Sequence, residues 1–239
     1  MKIEIIPCLQ DNYAYLIIDE KKNIGCVIDP SESAPIIEYL EKNKINLKFI
    51  LNTHHHFDHV GGNKKLKEKY GANVIGFKGD KDKIPGIDIL VDDQEIWKYE
   101  SFESKIIHIP GHTLGHVCFY FYNDKSIFTG DTLFSLGCGR IFEGTYSQMY
   151  ESLKKIKDLP QDTKVFCGHE YTIQNSKFCL THDPSNQKLK KKIIEIKDKL
   201  INNLPTIPST IKEELECNIF LKSDNLESFS KLRDLKDNF

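Results

Sequence analysis

The chain has 239 residues, 39% of them hydrophobic and 28% charged, which is enough apolar material for one large domain or a domain with a smaller partner. Lys and Arg (33) nearly balance Asp and Glu (35), so no global field points to nucleic acid or to an anionic membrane surface. The seven cysteines are an odd set with no C-x-x-C pair, which argues against a disulfide framework and for a reducing, cytoplasmic setting.

Residues 1–19 read as the first β-structure and not as a signal peptide, because they carry an early acid and no sustained apolar run; no later run is long enough to span a bilayer. Apolar runs predict strands at 13–18, 25–28, 49–51, 73–76, 105–109, 117–122, 126–129 and 164–167. Amphipathic spacing predicts helices at 34–42, 62–70 and 147–159, the last carrying Met149, Leu153, Ile156 and Leu159 on one face and stopped by Pro160. After about residue 169 the pattern becomes helical. Residues 188–203 place Leu189, Ile193, Ile196 and Leu200 at helical spacing, Thr210 and Glu213 form a capping box, and a short helix covers 226–237. The expected organisation is therefore a layered α/β domain over 1–168 followed by a small all-helical domain over 169–239.

Four segments carry metal-type chemistry at strand ends. In Thr53-His54-His55-His56-Phe57-Asp58-His59, which follows a strand, His54 and His56 lie two apart and face the same way in extended chain. After the turn, Asp58 and His59 can face a second ion. A polar surface turn is the bland alternative, but histidine runs rarely interleave aspartate at this spacing. Three more segments repeat the strand-turn-ligand layout: Gly111-His112, Gly130-Asp131 and Gly168-His169, each with a glycine that lets the backbone turn sharply. Imidazole with carboxylate suits zinc, iron or manganese.

Taken together, these segments resemble the metallo-β-lactamase superfamily. The resemblance implies an αββα sandwich with two divalent transition-metal ions, zinc first among the candidates and iron or manganese as alternatives. It places His54, His56 and His112 on one ion, Asp58, His59 and His169 on the other, and Asp131 between them. His55, His108, His116 and His182 fall outside the ligand set and are expected in packing or supporting roles.

Narrower features resemble the glyoxalase II family over essentially the whole chain: Gly137 to Thr145 after the Asp131 segment, Cys167-Gly168-His169-Glu170-Tyr171-Thr172, and the tail around Arg233 and Lys236. This resemblance implies hydrolysis of S-2-hydroxyacylglutathione, typically S-lactoylglutathione, to glutathione and the 2-hydroxy acid. Arg140, Tyr171, Arg233 and Lys236 match positions that contact the glutathione moiety. Phe142 stands where several members carry tyrosine, so a side-chain hydroxyl contact is lost there and a backbone contact is still open. The helical domain would bind substrate while 1–168 supplies the metal centre, and the family points to a monomer.

The expected chemistry follows. Two cations sharing a bridging water lower its pKa enough to supply hydroxide near neutral pH, and Asp58 aims it. A thiol has a pKa of about 8.5, so the thiolate leaves without a dedicated acid. Arg233 and Lys236, three apart on a helix, share a face suited to a carboxylate. The competing reading is a glutathione persulfide dioxygenase of the same superfamily with one iron, against which the Arg233/Lys236 tail argues.

Overall fold

A computed structural model describes residues 1–239. The chain divides into two compact units, Met1–His108 with Gly115–Asp124, and Ile109–Leu114 with Lys125–Phe239.

The first unit holds β1 (Lys2–Cys8), β2 (Asn12–Asp19), β3 (Ile24–Ile28), α1 (Ala34–Asn43), β4 (Asn46–Leu51), the one-turn α2 (Phe57–Val60), α3 (Asn63–Tyr70), β5 (Asn73–Phe77), β6 (Ile87–Val91), β7 (Ile96–Tyr99), β8 (Phe102–His108) and β9 (Val117–Phe121). Strands β1 to β6 form one sheet in sequence order. The hairpin β1–β2 is antiparallel, as is β2–β3, whereas β3, β4, β5 and β6 run parallel. Parallel neighbours need crossovers, and α1 supplies the one from β3 to β4 and α3 the one from β4 to β5. Residues 24–28 are buried without alternation, as expected where both faces of a strand are covered. Ile36 and Leu40 of α1 and Leu66 of α3 join the core with Leu16, Val27, Leu47 and Val74. Each such side chain contributes about 1.5–3 kcal/mol through burial. Strands β7, β8 and β9 pair antiparallel in order.

The second unit holds β10 (Ser126–Gly130), β11 (Leu133–Phe134), β12 (Gly137–Cys138), α4 (Tyr146–Lys157), β13 (Lys164–Cys167), α5 (Thr172–His182), α6 (Gln187–Ile201), β14 (Ser209–Thr210), α7 (Ile211–Cys217) and α8 (Leu226–Asp237). Strands β10 and β13 are parallel, and β11–β12 is a two-residue hairpin. Thr145, Thr210 and Asn225 open α4, α7 and α8 with reciprocal caps to Gln148, Glu213 and Ser228. Met149, Leu153 and Ile156 form the buried face of α4, as their spacing predicts. No helix is long and apolar enough to cross a membrane.

Candidate active site

In the first unit the site grows from the carboxyl ends of two neighbouring parallel strands. Asp29 follows β3, and the segment from Asn52 to His59 follows β4, so the pairing delivers them side by side. Asp29 is buried and left-handed, with φ +49°, a conformation that Asp enters more readily than most residues. Its backbone N–H donates to the Leu51 carbonyl at 3.0 Å. Its carboxylate accepts twice from Thr53, from the N–H at 2.8 Å and from the hydroxyl at 2.6 Å.

This arrangement sets two imidazole tautomers. The Thr53 hydroxyl gives its proton to Asp29, so it meets Nδ1 of His54, 3.0 Å away, as an acceptor. In the neutral ring Nδ1 of His54 therefore carries the proton and Nε2 the lone pair. Asp29 Oδ2 lies 3.1 Å from Nδ1 of His59 and imposes the same tautomer there. Such carboxylate-to-histidine support is the usual device for aiming a metal ligand. The His54 ring lies 4.8 Å from that of His56 and 4.2 Å from that of His59, centroid to centroid. Asp58 Oδ2 stands 3.6 Å from Nε2 of His59. A carboxylate oxygen and a lone-pair nitrogen this close repel unless a cation is shared between them.

Of the other histidines, His116 stacks on His54 at 4.6 Å and is fully buried. His55 turns its Nδ1 to Asp80, 3.0 Å away. His108 stacks on Phe77, and His182 meets the edge of Phe178.

The second unit repeats the strand-end logic. Gly130 pairs with Cys167 at the ends of β10 and β13, and the Gly168 N–H donates to the Gly130 carbonyl at 2.9 Å. Asp131 and His169 follow immediately. Asp131 Oδ2 lies 3.3 Å from Nε2 of His169 and 3.5 Å from Nε2 of His112. The Nδ1 atom of His112 is 2.8 Å from the Arg140 carbonyl, which only accepts, so in the neutral ring Nε2 again carries the lone pair and again faces a carboxylate. Of the three glycines preceding ligand-type residues, Gly130 takes a left-handed turn, at φ +47°. At Gly111 the constraint is space, since a Cβ would meet Met149 at 2.9 Å. The chain between β12 and α4 must also lie close: a Cβ on Gly139 would fall 1.8 Å from the Asp131 carbonyl oxygen.

Around this half-site lies a cavity of about 690 Å³ lined by His112, Asp131, Arg140, Phe142, Tyr171, Arg233 and Lys236, among others. All five residues expected to bind substrate thus meet in one cavity with two expected metal ligands. Their states differ from two free cations on a helix face. Arg233 is buried, bonds the Cys138 carbonyl, donates to Asp237 at 2.9 Å and packs over Phe220. Lys236 lies over the rings of Phe178 and Phe239. Loss of solvent, then repulsion from Arg233, holds its pKa below the usual lysine value. Arg140 is exposed and reaches toward Asp237 at 3.6 Å. Tyr171 stacks on His169 at 4.8 Å, and the exposed Phe142 ring lies 5.1 Å from His112. Burial pushes the Cys138 thiol at the cavity wall up to about 11.

Asp29, Asn12 and Asp237 also build the site, and none of the three is among the residues that the sequence motifs single out. Asp29 sits at a strand end like the recognised ligands, and Asp237 lies four residues after Arg233, the spacing of a helical ion pair. Asn12 left no signal beyond its place in the hairpin.

The paired lone-pair nitrogens and carboxylates in both units fit transition-metal ions, and with this fold they suggest a dinuclear centre. Residues 10–95 and 79–169 match the metallo-beta-lactamase superfamily model, and residues 170–239 match the model of the hydroxyacylglutathione hydrolase C-terminus. ETHE1 from Myxococcus xanthus shares the fold, with a TM-score of 0.75 at 23% identity over 98% of this chain and 90% of that one. A hydroxyacylglutathione hydrolase of Pelagibacter ubique is 74% identical over the full length of both chains. Another, of Methylococcus capsulatus, is 42% identical over 97% of this chain and 91% of its own. The chain belongs to the hydroxyacylglutathione hydrolase family of the metallo-beta-lactamase superfamily.

Proposed function

We infer that the chain hydrolyses the thioester of S-2-hydroxyacylglutathione, with S-lactoylglutathione as the typical substrate, to glutathione and the 2-hydroxy acid. The observation that carries this reading is the cavity in which Asp131 and His112 share walls with Arg140, Arg233, Lys236 and Tyr171. A ligand with anionic groups remote from its reacting carbonyl matches such a layout, because binding at a distance is converted into orientation at the centre.

The donor set assigned to one ion is His54, His56 and His112, to the other Asp58, His59 and His169, with Asp131 common to both. Zinc is the proposed metal. When bound, such ions supply Lewis acidity and activate water near neutral pH. Asp29 and Thr53 hold His54 and His59 in the tautomers that present Nε2. The Arg140 carbonyl does the same for His112. Asp58 is the group proposed to orient the attacking water. The glutathionyl thiolate has a low enough basicity to depart unaided. Arg140, Lys236, Tyr171 and the Phe142 backbone are proposed to read the peptide portion of the substrate, with Arg233 holding the cavity wall. Residues 1–168 then act as the metal-binding domain and residues 169–239 as the substrate-binding domain. The seven buried free thiols fit a cytoplasmic enzyme, and we propose that it works as a monomer.

The test is steady-state hydrolysis of S-lactoylglutathione beside a small acyl thioester that lacks the glutathionyl carboxylates. The glutathione thioester should show the far higher kcat/KM. Equal values on both would overturn the substrate assignment.

A further inference from the structure

Asn12 is the first residue of β2, paired with Cys8 across the β1–β2 hairpin, and only 5% exposed. Its side-chain amide donates to Asp58 twice, Nδ2 lying 3.0 Å from the backbone carbonyl and 3.1 Å from Oδ2. An amide NH₂ offers two N–H groups, so one side chain engages both the backbone and the carboxylate of a single residue. The Asp58 side chain is 40% exposed on a helix of four residues, where several rotamers are open to a carboxylate. The oxygen that Asn12 engages is the one 3.6 Å from Nε2 of His59.

We propose that Asn12 is a positioning residue for the metal half-site made by Asp58 and His59. It holds the carboxylate beside the imidazole and adds no charge there. A lysine in its place would bring a cation that competes with a metal, and an acid would repel Asp58. A neutral donor fixed on a sheet hairpin orients the ligand while leaving its charge for the ion. The buried hairpin thereby governs one ion more than the other, since Asn12 engages neither His54 nor His56 in this way. The proposal rests on the two-ion reading above.

The experiment is a zinc titration of the metal-free wild type, Asn12→Ala and Asn12→Leu against a chromophoric chelator, which resolves successive ions. Leu keeps the volume of the buried side chain and removes its donors. Both variants should bind the second ion about 10- to 100-fold more weakly, with the first ion and the thermal unfolding of the metal-free chain unchanged in Asn12→Leu. Wild-type affinity for both ions in either variant overturns the role of Asn12. So does an equal loss at both ions, which would mark a general structural effect. A wild-type chain that takes up one ion only would end the two-ion reading and this proposal with it. Because the readout is metal binding, it is independent of which thioester the enzyme prefers.

Discussion

Asp29 Oδ2 lies 3.1 Å from Nδ1 of His59 while accepting the Thr53 hydroxyl at 2.6 Å, so one buried carboxylate sets the tautomers of two imidazoles. Asp29→Asn tests this directly. Asparagine matches the size of aspartate and tolerates the left-handed backbone at this position, but its NH₂ group faces a proton donor whichever way the amide turns. Metal affinity should fall about 10- to 100-fold, measured by chelator competition. Unchanged affinity would show that the two tautomers do not depend on Asp29.

The two cations of α8 should separate in their effects. Lys236 contacts two aromatic rings and lines the cavity, so Lys236→Ala should act on KM. A charge-assisted contact is worth about 1.5–3 kcal/mol, or roughly tenfold or more in KM. Arg233→Ala should raise KM and also lower Tm, because the buried Cys138 carbonyl loses its donor at a cost of about 1–3 kcal/mol. Kinetics and thermal melts of both variants would check this. Equal Tm changes in the two would refute the division of roles.

Most of this was legible because the chemistry clusters at strand ends. The strands at β3, β4, β10 and β13 announce themselves as short apolar runs, and each is followed within a few residues by a ligand-type or supporting residue that the fold uses. Other elements were silent for identifiable reasons. Strand β6 alternates the exposed Asp88 and Leu90 with the half-buried Ile87 and Ile89 at a sheet edge, so neither face is uniformly apolar. Helix α5 buries Thr172, Asn175 and Ser176 beside Phe178 and Cys179, so it lacks an apolar stripe. Asn12 and Asp29 act through hydrogen bonds to residues 46 and 24 or more positions away, and no local pattern encodes such partners. The tail cations read correctly as neighbours on one helix. Their partners, a backbone carbonyl for one and two rings for the other, depend on tertiary packing.

Glu214 provides a pH-dependent test of the second unit. It is fully buried, and its Oε2 accepts from the Leu136 N–H at 2.8 Å and from the Asn218 amide at 3.0 Å. Burial holds its pKa above the usual carboxyl value despite those donors. The folded chain therefore keeps a proton that the unfolded chain gives up. Its contribution to stability is complete below the unfolded pKa of about 4.3 and declines as pH rises toward the raised folded value. Glu214→Gln keeps a carbonyl oxygen for both donors and cannot ionise. Its Tm should match wild type in acid and exceed it above that window. A Tm difference independent of pH would contradict the assignment.

We propose that two metal ions in this chain drive hydrolysis of a glutathione thioester. One purified preparation settles it, through elemental analysis and product analysis on S-lactoylglutathione before and after chelation. The expected result is close to two transition-metal ions per chain, stoichiometric glutathione and lactate without oxygen uptake, loss of activity in chelator and recovery on adding zinc. A single iron per chain, with oxygen consumed on glutathione persulfide and no turnover of S-lactoylglutathione, would contradict it.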